Sequence, residues 1–126
     1  MKLALSLMPD LLAIASAPLD EGLPSWVDWT DPLVSVTRTT EEFSVICRQD
    51  RVPPGVKSEG GWRVFKVAGP LSLSLTGILM RLLTPLAEAG VPILAFSTYD
   101  TDYVLVRDGR ESEAASALSQ VADVVP

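Results

Sequence analysis

The segment VPILAFSTYDTDYVLVRDG, Val91 to Gly109, decides how the rest of the chain is read. It sets two apolar runs of strand length, Pro92 to Thr98 and Tyr103 to Arg107, around a turn that holds Asp100, Thr101 and Asp102. Such residues close turns by bonding their own backbone, so the segment predicts a β-hairpin. Upstream, DPLVSVTRTTEEFSVICRQ, Asp31 to Gln49, sets against it without a gap: Pro32 with Pro92, Glu42 with Asp102, Phe43 with Tyr103. Ala17-Pro18-Leu19 likewise answers Gly69-Pro70-Leu71. The chain therefore reads as two copies of one unit.

Working outward, Trp62 to Ala68 reads as a strand and Gly69 to Ser72 as a turn. Ile78, Leu79, Leu82, Leu83, Leu86 and Ala87 then recur at helical spacing, with Gly90 as the stop. Pro85 falls within that pattern, on the side of Arg81, Thr84 and Glu88, which predicts a kink or a last turn open to solvent. Ser112 to Ala122, rich in alanine, reads as a closing helix. In the first copy, Leu33 to Arg38 and Phe43 to Arg48 form a hairpin around Thr39 to Glu42. Leu3 to Met8 and Leu11 to Ser16 read as two short strands joined at Pro9-Asp10. The first copy has no long helix, and Trp26 and Trp29 are expected to plug the gap it leaves. Pro53-Pro54-Gly55 and Gly60-Gly61 mark a linker over 49–61. These periods imply an α+β, ferredoxin-like (βαββαβ) sandwich of two units with antiparallel sheets, the first degenerate, divided as 1–60 and 61–126.

Composition restricts the chemistry. The 126 residues are 48% apolar and 21% charged, as in a compact globule. Ten basic against sixteen acidic side chains leave a net charge of −6, which opposes binding to nucleic acid or to an anionic membrane. There is no histidine, so the commonest general base and zinc ligand are missing. Cys47 stands alone in an apolar strand and reads as an inert buried thiol. The paired acids Glu41-Glu42 and Glu111 with Glu113 read as solvated charges. Neither a catalytic residue, a cofactor nor a metal site is expected. Leu3 to Met8 is too short for a secretory h-region before Pro9-Asp10, and the single cysteine suits a reducing compartment, so the cytoplasm is expected.

GWRVFKVAGPLSLSLTGILMRLLTPLAEAGVPILAFSTYDTDYVLV, Gly61 to Val106, resembles the ACT domain of small bacterial proteins related to the CASTOR-type arginine sensors. Its most specific parts are STYDTDYVLV, TGIL and PLAEAG, and LVSVTRTTEEFSVIC resembles the degenerate first ACT unit of that group. The resemblance implies a regulatory module that binds a small ligand, most often an amino acid, in a homodimer, and is read by a partner enzyme or regulator. Carried over by position, Ser72, Leu75 and Ile78 with Thr98, Tyr99 and Asp102 form one wall, and Pro92 and Ile93 of a partner copy form the other. Where the arginine sensors place a carboxylate, this chain has Leu75. That change puts an apolar or aromatic amino acid beside arginine as the expected ligand.

The residues by themselves support a similar pocket. Backbone N–H groups from Leu71 to Ile78, at a helix start, suit a carboxylate, and Asp102 suits an ammonium group. Thr98 and Asp102 have an equally simple reading as turn closers. A protein-interaction module without a small ligand, and a small enzyme of hidden chemistry, are the alternative functions.

Overall fold

The computed structural model describes residues 3–71 and 77–125. The chain divides into two compact units: one is Asp10–Trp62, and the other joins Met1–Pro9 to Arg63–Pro126. The strands are β1 (Leu3–Leu7), β2 (Leu12–Ala17), β3 (Ser35–Arg38), β4 (Phe43–Arg48), β5 (Lys57–Val67), β6 (Ile93–Ser97), β7 (Asp102–Arg107) and β8 (Ala122–Val125). The helices are α1 (Ile78–Glu88) and α2 (Glu111–Leu118).

In the unit that contains both helices, β6 pairs with β7, β7 with β5, β5 antiparallel with β1, and β1 parallel with β8. Alternate residues of these strands present one apolar face, Leu3, Leu5, Phe65, Val67, Val104 and Val106. Ile78, Leu82 and Leu86 of α1, with Ala114, Ala117 and Leu118 of α2, cover it. Each of those fully buried Leu or Phe side chains contributes roughly 1.5–3 kcal/mol. The order of elements from β5 onward is strand, helix, strand, strand, helix, strand, which is the ferredoxin-like pattern. One feature is added: β1 lies between β5 and β8.

The unit Asp10–Trp62 repeats that pattern in reduced form. Its strands run in the order β3, β4, β2, β5, all antiparallel. Short 3-10 turns at Leu19–Glu21 and Gln49–Arg51 stand where the other unit has helices. An ion-pair cluster anchors this region. Arg51 donates two hydrogen bonds to Asp31, at 3.0 and 2.8 Å, and lies 3.3 Å from Asp28.

β1 and β2 are the two short strands expected on either side of Pro9-Asp10; β1 pairs with β5 and β8, and β2 with β4 and β5. Four other sequence expectations need correction. Lys57–Gly61 is strand rather than linker. On β5 an extra residue is accommodated between the pairs Leu12 with Trp62 and Ile14 with Glu59, and Gly61 takes φ +76° there, as a glycine bulge requires. Pro85 is buried with Ile78, Leu82 and Leu86, so its ring packs into the core and the helix runs on to Glu88. α2 stops at Leu118, and the β-branched tail of Ala122–Val125 forms β8. Trp29 is 63% exposed and plugs nothing, whereas Trp26 is half-buried.

Candidate functional site

The opening hairpin is built around Thr98. Its N–H donates to the Thr101 carbonyl at 2.8 Å, and its hydroxyl accepts from the Thr101 N–H at 3.3 Å. This closes a four-residue turn between the paired residues Ser97 and Asp102. The turn is then docked onto the end of β5. The Thr101 hydroxyl donates to the Val67 carbonyl at 2.6 Å, and the Leu71 N–H donates to the Asp100 carbonyl at 2.6 Å. Thr101 is 4% exposed, so this polar side chain is buried with its hydrogen bond made. Gly69 permits the approach: a Cβ there would stand 3.0 Å from the Asp100 carbonyl oxygen and 3.1 Å from Thr101 Cβ.

The chain's internal echo takes on a corrected register here. In the first copy the Thr39 N–H donates to the Glu42 carbonyl at 2.9 Å, and Arg38 pairs with Phe43 across a turn of the same length. Thr39 therefore matches Thr98, and Glu42 matches Thr101, one residue away from the gapless alignment. Both side chains reach the strand that precedes the Pro-containing loop. Glu42 accepts from the Ser16 hydroxyl at 2.8 Å, as Thr101 donates to Val67. Sequence reasoning assigned Thr101 to the turn and missed its docking role. A threonine opposite an acid in the two copies was the available signal.

The expected site residues occupy these positions. Asp102 begins β7 on the side of Val104 and Val106, half-buried, and its carboxylate accepts from the Ser97 hydroxyl. Tyr99 is 81% exposed. Ile78 is 8% exposed and belongs to the core under α1. Ile93, half-buried, pairs with Val106 at the far end of β6, and Pro92 is exposed. Four residues of strand, about 13 Å at about 3.3 Å each, separate Ile93 from Ser97, so one copy does not bring Ile93 to Asp102. Ser72 and Leu75 lie outside the described residues. The Leu71 N–H, expected to be available to a ligand, is already engaged by Asp100.

Two further groups have defined chemistry. Burial pushes the Cys47 thiol up to about 11, which keeps it protonated and unreactive. Glu111 opens α2, where its own backbone N–H, the Gly109 N–H at 2.6 Å and Arg63 at 3.0 Å hold its carboxyl below the usual range. No group of His, Cys, Asp or Glu among the described residues is arranged to hold a metal ion. No helix among them is long and apolar enough to cross a membrane.

A mixed sheet covered on one face by two helices, with a docked hairpin beside the loop that leaves its central strand, defines a small α+β domain of ferredoxin-like type. The ACT domain family profile matches residues 57–120, and the chain belongs to that family. A second profile, of an N-terminal domain, matches residues 12–55. The chain is 31% identical over 101 residues to the human cytosolic arginine sensor for mTORC1 subunit 1. The match covers 71% of this chain but spans about a third, 31%, of that relative's length. Among solved structures, a protein from Agobacterium tumefaciens is 32% identical, covering 99% of this chain and 93% of that one, with a TM-score of 0.89. The regulatory subunit of aspartate kinase from Thermus thermophilus shares the fold at 11% identity and a TM-score of 0.60, covering 93% and 96%.

Proposed function

We propose that the chain is a non-catalytic regulatory module that binds an amino acid and passes the binding event to a partner enzyme or regulator. The ACT family match over 57–120 carries this reading, and the names of the arginine sensor and of the aspartate kinase regulatory subunit support it. Residues 61–126 act as the ligand-binding ACT unit, and the segment up to residue 60 is its eroded copy. The ligand lies between two chains of a cytoplasmic homodimer. Ser72, Leu75, Ile78, Thr98, Tyr99 and Asp102 form one wall, and Pro92 and Ile93 of the second copy form the other. The span of β6 favours this division, because it keeps Ile93 away from Asp102 within one chain. The exposure of Tyr99 leaves its ring available to a partner.

In this arrangement Asp102 takes the ammonium group and the loop N–H groups take the carboxylate. Leu75 favours an apolar or aromatic side chain over arginine. Binding at the interface shifts the population toward the arrangement that fits the ligand, which is how a domain without catalysis regulates one.

Thermal-shift screening of the twenty amino acids tests the proposal. A ligand at a hundred times its Kd adds about 2.7 kcal/mol to stability. Asp102→Ala is expected to abolish that gain while leaving the ligand-free midpoint near its original value. A response that survives in Asp102→Ala removes Asp102 from the site. If no amino acid raises the midpoint and a protein partner does, the interaction-module alternative replaces this one.

A further inference from the structure

The unit Asp10–Trp62 contains a cleft of about 730 Å³, inside the range of roughly 300–1,000 Å³ typical of small-molecule sites. It opens between the loop after β2 and the β3–β4 turn. Trp26 and Leu23 give it an apolar wall, and Glu42, Glu41, Glu21 and Lys57 supply its charges. Glu42 is half-buried, and the hydroxyl of Ser16 holds one of its carboxylate oxygens at 2.8 Å. Glu21, Glu41 and Lys57 form no ion pair among the described residues.

We propose that this cleft is a second binding site, for a small organic cation with an apolar or flat body. The cation sits on Glu42, oriented by Ser16, and its body lies against the indole of Trp26 and the side chain of Leu23. An indole face attracts a cation in addition to the carboxylate's pull. Negative lining charge outnumbers positive, so an anionic ligand of the same size is disfavoured. Lys57 is set beside this point by its pairing with Ser16, and it repels a second cationic group, which selects monocations over diamines. The proposal is independent of the amino-acid site, since all its residues lie within Asp10–Trp62.

Three probes that share a phenylethyl unit separate the charge types: phenethylamine, phenylalanine and 3-phenylpropionate. Titration calorimetry and the Trp26 indole N–H resonance of the full chain are expected to show phenethylamine binding with a Kd of about 1 mM or tighter. Phenylalanine is expected to bind more weakly, and 3-phenylpropionate not at all. Glu42→Gln keeps an acceptor for Ser16 but removes the charge, and is expected to weaken phenethylamine by about tenfold or more. Lys57→Gln is expected to raise the affinity for a diamine such as cadaverine. Absence of phenethylamine binding overturns the proposal, as does binding that Glu42→Gln leaves unchanged or that phenylalanine equals. Circular dichroism of Glu42→Gln and Trp26→Phe confirms that lost binding is not lost folding.

Discussion

Thr101 shows how much one hydroxyl does in this fold. It is the buried polar side chain that joins the β6–β7 turn to the end of β5, and the Val67 carbonyl it satisfies is the last on that strand. Thr101→Val preserves the shape and removes the donor, so it is expected to cost about 1–3 kcal/mol in urea unfolding. Tyr99→Ala, two residues away and exposed, is expected to change stability by less than about 0.5 kcal/mol. An equal effect of the two variants would show that the turn is held by backbone bonds alone. The sequence pointed to Asp102 because its acid stood out against a hairpin. Thr101 passed unremarked because a threonine in a turn looks the same whether its hydroxyl reaches water or a buried carbonyl.

Among the elements, legibility followed periodicity. The β3–β4 and β6–β7 hairpins lie where the pattern put them, as do Ile78, Leu82 and Leu86 of α1, whereas Ala87 is exposed and Pro85 takes a buried place. Where the pattern was ambiguous, the tertiary setting decided. Alanine-rich sequence carried the expected α2 into Ala122, but Val124 and Val125 suit a strand, and β1 pairs with them. Glycines over Gly60-Gly61 looked like a linker because a bulge uses the same residues as a loop. In the helix-poor unit, Asp31, with its side chain 3% exposed, ties Arg51 of the second 3-10 turn to the start of the β3 segment. Arg51→Ala leaves that carboxylate buried without its two hydrogen bonds. Arg51 is itself about a third exposed and Arg48 remains at 3.9 Å from Asp31, so a lowered urea midpoint is expected. An unchanged midpoint would mean that solvent, not Arg51, satisfies Asp31.

For the whole molecule, the lack of histidine removes the side chain that ordinarily titrates near neutral pH. Without histidine, and with Cys47 raised to about 11, side-chain charge changes little between about pH 5 and 7, and stability is expected to be flat there. Asp28, lowered mainly by the Thr30 hydroxyl and N–H, and Glu111, lowered mainly by its own backbone N–H, contribute to the acid limit. Their folded values lie below their unfolded ones, so what they contribute is present above about pH 4 and is lost as pH falls through the folded values. Urea midpoints measured from pH 2.5 to 7 are expected to be level and then to drop below about pH 4. A step between pH 5.5 and 7 would contradict this account.

The placement of β1 gives the chain a schedule. Leu5 pairs with Val67 and Leu3 with Ala122, so β1 is synthesised before the partners it needs, which lie in the middle and at the far end of the described chain. Asp10–Trp62 has all its own strand pairings before either partner of β1 is complete. During synthesis Leu3, Leu5 and Leu7 therefore remain an unpaired apolar ribbon, open to chaperones or to the same gap in a neighbouring nascent chain.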